Sequence, residues 1–288
     1  MHADSSRDPH DLGLAHDLAV WQQQMLGRRR ALRWLLGAGA AGVVGCGGGG
    51  DDSASDTAAA SSSGSSGAAA SGSCTVIPEE TAGPYPGDGS NTSGGSVANA
   101  LLLSGIARSD IRNSIAGASG VAEGVPLTVV LELVNTNGGC ADLAGYAIYL
   151  WHCDREGRYS MYSSGVTAEN YLRGVQATAS DGTVTFQTVF PGCYSGRWPH
   201  IHFEIYRSAG SASAWTNKLR TSQLALPGDV CSTVYSGASG YSASVTNLSR
   251  ISLASDGIFS DGVSAQLASV SGNLSSGYVA RLQVGIAA

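Results

Sequence analysis

From Val125 onward, short runs of β-branched and aromatic residues recur between turn signals. Pro126-Leu127-Thr128-Val129-Val130-Leu131-Glu132-Leu133-Val134, Gly145-Tyr146-Ala147-Ile148-Tyr149-Leu150-Trp151 and Gly182-Thr183-Val184-Thr185-Phe186-Gln187-Thr188-Val189 read as strands. Residues 135–139 and Asp181-Gly182 supply turns between them. Ile201-His202-Phe203-Glu204-Ile205-Tyr206 alternates with period two, and residues 242–245 and 278–284 read as further short strands. No segment after residue 73 carries a long, capped amphipathic helix, although residues 96–111 leave room for a helical turn or two. No internal repeat is present. Short strands with glycine-rich turns over about 200 residues predict an all-β fold, a β-sandwich.

The first 73 residues follow a different pattern. Arg28-Arg29-Arg30 precede a mildly apolar stretch, residues 34–44, that is too short to cross a bilayer and ends in small residues. Arg28-Arg29-Arg30-Ala31-Leu32-Arg33 resembles a twin-arginine export signal, and Val43-Val44-Gly45-Cys46 resembles a bacterial lipobox. Residues 1–45 are therefore expected to be a signal, with Cys46 the lipid-anchored first residue of an exported mature chain. Apart from Cys46 and Thr57, residues 46–73 are Gly, Ser, Ala and Asp, without an aromatic or basic side chain. Such a stretch buries too little apolar area to offset its ordering entropy and reads as a flexible, disordered tether. The working domain is then 74–288, in the cell envelope or outside the cell.

Composition narrows the function. Only 13% of the 288 residues are charged, the net charge is −6, and Lys218 is the single lysine. Removing residues 1–45 leaves the sign unchanged, which argues against a bulk electrostatic grip on nucleic acid. No apolar run reaches the roughly 18 residues a membrane span needs, so membrane contact is expected only through Cys46. A homo-oligomer is compatible with the sequence. Cys74, Cys140, Cys153, Cys193 and Cys231 suit an oxidising compartment, and two disulfides with one free thiol are expected.

One constellation carries chemistry. Three histidines remain after the leader, at 152, 200 and 202. His200 and His202 head a strand, so their side chains share a face roughly 6.6 Å apart along the chain. Two imidazoles so placed can share a metal ion. The loop Phe190-Pro191-Gly192-Cys193-Tyr194-Ser195-Gly196-Arg197-Trp198-Pro199 brings a tyrosine and an arginine within six residues of the pair. Upstream, Trp151-His152-Cys153-Asp154-Arg155-Glu156-Gly157-Arg158-Tyr159-Ser160 places another tyrosine after a strand and a turn.

Together these segments resemble the intradiol ring-cleavage dioxygenases, the non-haem Fe(III) family of protocatechuate 3,4-dioxygenase and catechol 1,2-dioxygenase. Leu172-Arg173-Gly174-Val175-Gln176, Asp181-Gly182, Thr81-Ala82-Gly83-Pro84-Tyr85 and, more loosely, Asp256-Gly257-Ile258-Phe259 extend the likeness. It is good over residues 78–206. The resemblance implies Fe(III) held by Tyr159, Tyr194, His200 and His202. It makes Tyr194 the ligand that catechol displaces and the acceptor of a substrate proton, and gives Arg197 the charge developing on the ring. The implied reaction opens a catechol-type ring with O2 to a muconate-type dicarboxylate. Four features depart from the family: the gap of five residues between Tyr194 and His200 is short, the tether takes the place of the helical dimerisation domain of catechol enzymes, Cys193 sits where a bulky residue is common, and the export signal sets the chain apart from cytoplasmic members.

Physical chemistry suits that ligand set. A free tyrosine has a pKa of about 10, so a phenol becomes a ligand anion at neutral pH only under the field of a hard cation such as Fe(III).

Other residues carry plainer readings. His152 is expected to be structural, Asp154 and Glu156 to serve the turn, and Tyr162 and Tyr171 to be less well spaced than Tyr159. Trp198 either closes the pocket or packs. The rival functions are a non-catalytic transthyretin-like or carboxypeptidase-regulatory-like sandwich, and the same fold binding zinc or copper or lacking activity.

Overall fold

The computed structural model describes residues 74–288. The twin-arginine run, Cys46 and the tether lie outside the described residues.

Eleven strands occur among them. The first five are β1 (Asp88–Ser93), β2 (Ser96–Asn99), β3 (Pro126–Asn135), β4 (Ala141–Asp142) and β5 (Ala147–Trp151). Then come β6 (Arg173–Ala177), β7 (Thr183–Val189), β8 (His200–Tyr206) and β9 (Lys218–Ala225). The last are β10 (Ser269–Asn273) and β11 (Gly277–Ile286). β1 and β2 form a hairpin. One sheet runs β10-β11-β3, with β4 and β7 both paired to β3; the other has the order β6-β5-β8-β9. β3 and β11 pair in parallel, whereas the second sheet is antiparallel throughout.

The sandwich core follows from alternation. Leu127, Val129, Leu131 and Leu133 of β3 are buried against Ile148, Leu150, Ile201, Phe203 and Ile205 of the second sheet. β8 is buried along its whole length. Its odd-numbered side chains fill this core, so period two sends His200, His202, Glu204 and Tyr206 to the opposite face. A second cluster lies on that outer face, with Ala147, Tyr149, Trp151, Tyr159 and Tyr206, and Tyr85 packed against it. Arg173 pins the covering N-terminal segment, donating from Nη1 to Pro86 O at 2.7 Å and from Nη2 to Tyr85 O at 3.0 Å. The strand pattern thus sorts apolar core from a polar, buried layer.

Two expectations are corrected. Residues 242–245 are helical, the first part of α2 (Ser242–Leu248), which follows α1 (Gly228–Gly237). Ser244 is the buried position of this helix, three residues after its buried N-cap Tyr241, a spacing that puts both on one face. The Cys231, Val234 and Tyr235 spacing of α1 carries the same signal. The structure also holds one disulfide among the described residues, Cys74–Cys140, where two were expected. Cys153, Cys193 and Cys231 are buried thiols. Cys153 Sγ and Cys193 Sγ each donate to a carbonyl at 3.5 Å, of Gly192 and Arg197, so packing and hydrogen bonding take the place of a second bridge.

Candidate metal centre

The tyrosine-bearing loops meet backbone to backbone. Asp154 Oδ1 accepts the N–H groups of Glu156 and Arg158 and shapes the turn before Tyr159. Gly192 N donates to Asp154 O at 2.9 Å. A Cβ on Gly192 would lie 2.6 Å from Arg155 O and 2.9 Å from Gly157 N, so glycine there is a condition of the approach. Gly157, at φ +86°, faces Tyr194 Cβ across the same seam. The Gly-x-Tyr and Pro-Gly-x-Tyr motifs are therefore two halves of one junction.

At that junction the sequence-nominated side chains converge. Tyr194 Oη lies 3.3 Å from His200 Nε2, and His200 Nε2 lies 3.0 Å from His202 Nε2. The Tyr159 ring stands edge-on to Tyr194 and to His202, with centroid separations of 5.8 Å and 6.2 Å. Tyr159 is fully buried and its hydroxyl makes no hydrogen bond of normal geometry. His200 Nδ1 faces only a carbonyl, Trp198 O at 2.5 Å, so it carries the proton and leaves Nε2 a lone pair. Trp151 stacks flat on His202, with centroids 4.9 Å apart and planes 5° from parallel.

Electrostatics make this a neutral donor set. Burial holds both imidazoles well below the usual histidine range; Arg197 adds to the effect at His200, and His200 adds to it at His202. Burial, then the neighbouring Tyr194, pushes the Tyr159 phenol well above its ordinary value. The two imidazole nitrogens share one proton, whereas the buried Tyr159 hydroxyl, without a hydrogen bond of normal geometry, is costly by itself. A hard cation would replace the shared proton between the nitrogens and turn the phenol into a phenolate, so the residues fit the iron that the family resemblance implies.

Arg197, 2% exposed, donates to Asp256 and to Gln223. The remaining candidates separate. His152 is buried, with Nδ1 on Cys153 O and Nε2 on Thr188 Oγ1, and burial pushes its pKa down to about 4; it is structural. Tyr171 donates to Asp154, and Tyr162 to Asn91, so neither competes with Tyr159. Trp198 packs with Ala225, Ile258 and Phe259, and its Nε1 donates to Leu226 O.

Sequence reasoning missed Gln223 and Trp151 as neighbours of the centre. Gln223 is opposite His202 in the β8–β9 register and Trp151 opposite it in the β5–β8 register. Only strand pairing reveals either.

A dioxygenase family model matches residues 106–236. No curated protein matches the chain. Among solved structures, the intradiol ring-cleavage dioxygenase from Tetranychus urticae is similar over 74% of this chain and 95% of its own, at 25% identity and a TM-score of 0.55. The crystal structure of a second dioxygenase is similar over 74% of this chain and 94% of its own, at 26% identity and a TM-score of 0.53.

Proposed function

Since the chain belongs to the intradiol ring-cleavage dioxygenase family, we propose that it is an exported ferric enzyme that opens a catechol-type ring between its two hydroxyl-bearing carbons. One O2 is consumed per ring, both oxygen atoms enter the product, and the product is a muconate-type dicarboxylate. The observation that carries this reading is the convergence of Tyr194 Oη, His200 Nε2 and His202 Nε2 beside the unpartnered Tyr159 hydroxyl.

Tyr159, Tyr194, His200 and His202 hold the metal in this reading. Fe(III) held by these residues would supply the Lewis acidity that lowers the pKa of the substrate hydroxyls, and loss of those protons is what would make the ring electron-rich enough to react with O2. The protein's own part is division of labour between two tyrosines. Tyr159 is locked, its ring fully buried and its backbone N–H bonded to Ser163 Oγ at 2.8 Å. Tyr194 is only half-buried and precedes the exposed Ser195, so of the two tyrosines it is the one placed to take a substrate proton. Arg197 keeps a buried positive charge close enough to depress His200, and it opposes the negative charge that builds on the ring. The burial of His200, His202 and Arg197 keeps bulk water away from those charges. A non-catalytic sandwich module gives no reason to bury these groups together.

The test is direct. The full chain loaded with one equivalent of iron is expected to be coloured by tyrosinate-to-metal charge transfer, and to take up oxygen with at least one of catechol, protocatechuate and hydroxyquinol. A colourless loaded protein overturns the reading, as does absence of uptake across the panel. Export and anchoring through Cys46 belong to the same proposal. Cys46→Ala is expected to release the protein from the membrane fraction, and full retention there contradicts the anchor.

A further inference from the structure

The motif Asp256-Gly257-Ile258-Phe259 stood out in the sequence, yet the chemistry above does not use it. Its carboxylate is fully buried with both oxygens committed. Oδ1 accepts the backbone N–H groups of Ile258 at 2.9 Å and Phe259 at 3.1 Å. Oδ2 accepts Arg197 Nε at 3.0 Å and the Trp198 backbone N–H at 2.7 Å. One half of the carboxylate closes the turn of its own segment. The other half grips the loop that leads into β8.

The second grip falls on the residue whose charge the proposed reaction needs. A guanidinium on a flexible stem has many orientations, and one contact leaves its plane free to turn. Here Nε is held by Asp256 while Nη2 donates to Gln223 Oε1 at 2.7 Å. Gln223 is held in turn, with its Nε2 donating to Thr81 O at 2.9 Å. Two acceptors on different edges fix the plane of the cation. Of the two, Asp256 alone supplies a counter-charge, which a buried arginine requires.

We propose that Asp256 is a positioning residue for Arg197: its carboxylate sets the plane of the guanidinium that faces the reacting ring, and it acts on the reaction only through that cation. This rests on the reading of Arg197 given above. Asp256 is bonded to the arginine and to backbone amides, not to any of the four candidate donor atoms.

The experiment uses the full chain as wild type, Asp256→Asn, Arg197→Gln and the double variant. Asparagine keeps an acceptor for the turn but loses the counter-charge; Asp256→Ser takes its place if the asparagine variant does not fold. In the metal-free protein, ¹⁵N NMR is expected to show the Arg197 Nε–H exchanging with solvent roughly tenfold faster once Asp256 is replaced. In the iron-loaded protein, the same change is expected to lower kcat on catechol by about tenfold or more, with KM shifted less than about threefold. The double variant is expected to be no slower than Arg197→Gln alone, since Asp256 has nothing left to position. An Arg197 Nε–H that stays equally protected without Asp256 overturns the proposal. So do losses that multiply in the double variant, the mark of a purely structural role. A wild type inactive on every catechol sinks the catalytic reading alone, and the exchange measurement still decides whether Asp256 holds Arg197.

Discussion

His200 Nε2 and His202 Nε2 face each other at 3.0 Å, both on imidazoles that burial keeps neutral. Two lone pairs at that distance repel unless a proton or a cation lies between them. His202 Nδ1 has no partner, so this ring carries its proton on Nε2 and donates it to His200 Nε2, and a metal held by the pair would take the place of that proton. Replacing either histidine by alanine is expected to weaken iron binding by more than the roughly 10–100-fold that loss of an outer partner costs. Equilibrium dialysis against a competing chelator reads this. The same experiment on His152→Asn is expected to leave affinity close to wild type, because that ring is bonded to Cys153 O and Thr188. A similar loss in all three variants sinks the assignment of ligands.

The loop junction predicts a stability effect with a functional signature. In Gly192→Ala the new Cβ meets backbone atoms, Arg155 O at 2.6 Å and Gly157 N at 2.9 Å, and backbone yields less readily than a side chain. Forced separation of the two tyrosine loops is expected to cost about 1–3 kcal/mol in chemical unfolding, the usual range for overpacking. It is also expected to lower iron occupancy, because Tyr159 and Tyr194 ride on the two sides of that seam. Loss of stability with full occupancy and an unchanged visible band contradicts the shared-junction account.

Cysteine chemistry divides into one bridge and three inert thiols. The Cys74–Cys140 bond closes a sequence separation of 66 residues, for which loop entropy gives a stabilisation of about 4 kcal/mol. The Cys74→Ser, Cys140→Ser double variant is expected to unfold at markedly lower denaturant. Burial pushes the Cys193 thiol up to about 12 and raises Cys153 and Cys231 as well. A chromogenic thiol reagent is expected to label all three in denaturant and none in the native protein. Rapid native labelling of any one shows that its site opens.

Glu204 gives the pH dependence. Burial pushes its pKa up to about 7, against the lowering effect of Lys218, which donates to Oε1 at 2.7 Å. A carboxyl raised in the folded state favours folding while protonated. Its contribution is complete below its unfolded pKa of about 4.3 and is lost as pH rises through about 7. A shift of this size corresponds to roughly 3 kcal/mol. Urea unfolding at pH 5 and pH 8 is expected to show wild type losing more stability over that interval than Glu204→Gln. Equal losses in the two proteins show that the titrating group lies elsewhere.

The primary structure by itself determined the sandwich and nominated the residues of the site. Alternation in β3 and β8, with turns at residues 135–139 and 181–182, sets faces and strand ends because side-chain direction in a strand has a fixed period. The short spacing between Tyr194 and the histidine pair is legible for the same reason: those residues belong to one loop and one strand. What lies far apart in the chain was decided only by tertiary structure. Strand pairing sets Gln223 and Trp151 on either side of His202. Packing of the C-terminal segment carries Asp256 to Arg197 across a separation of 59 residues. The same limit explains the two corrections, since helix over residues 242–248 is selected by burial of Tyr241 and Ser244, and the pairing of cysteines by which thiols the fold brings together. Local periodicity is written residue by residue, whereas partners across the sheet exist only once the chain has closed on itself.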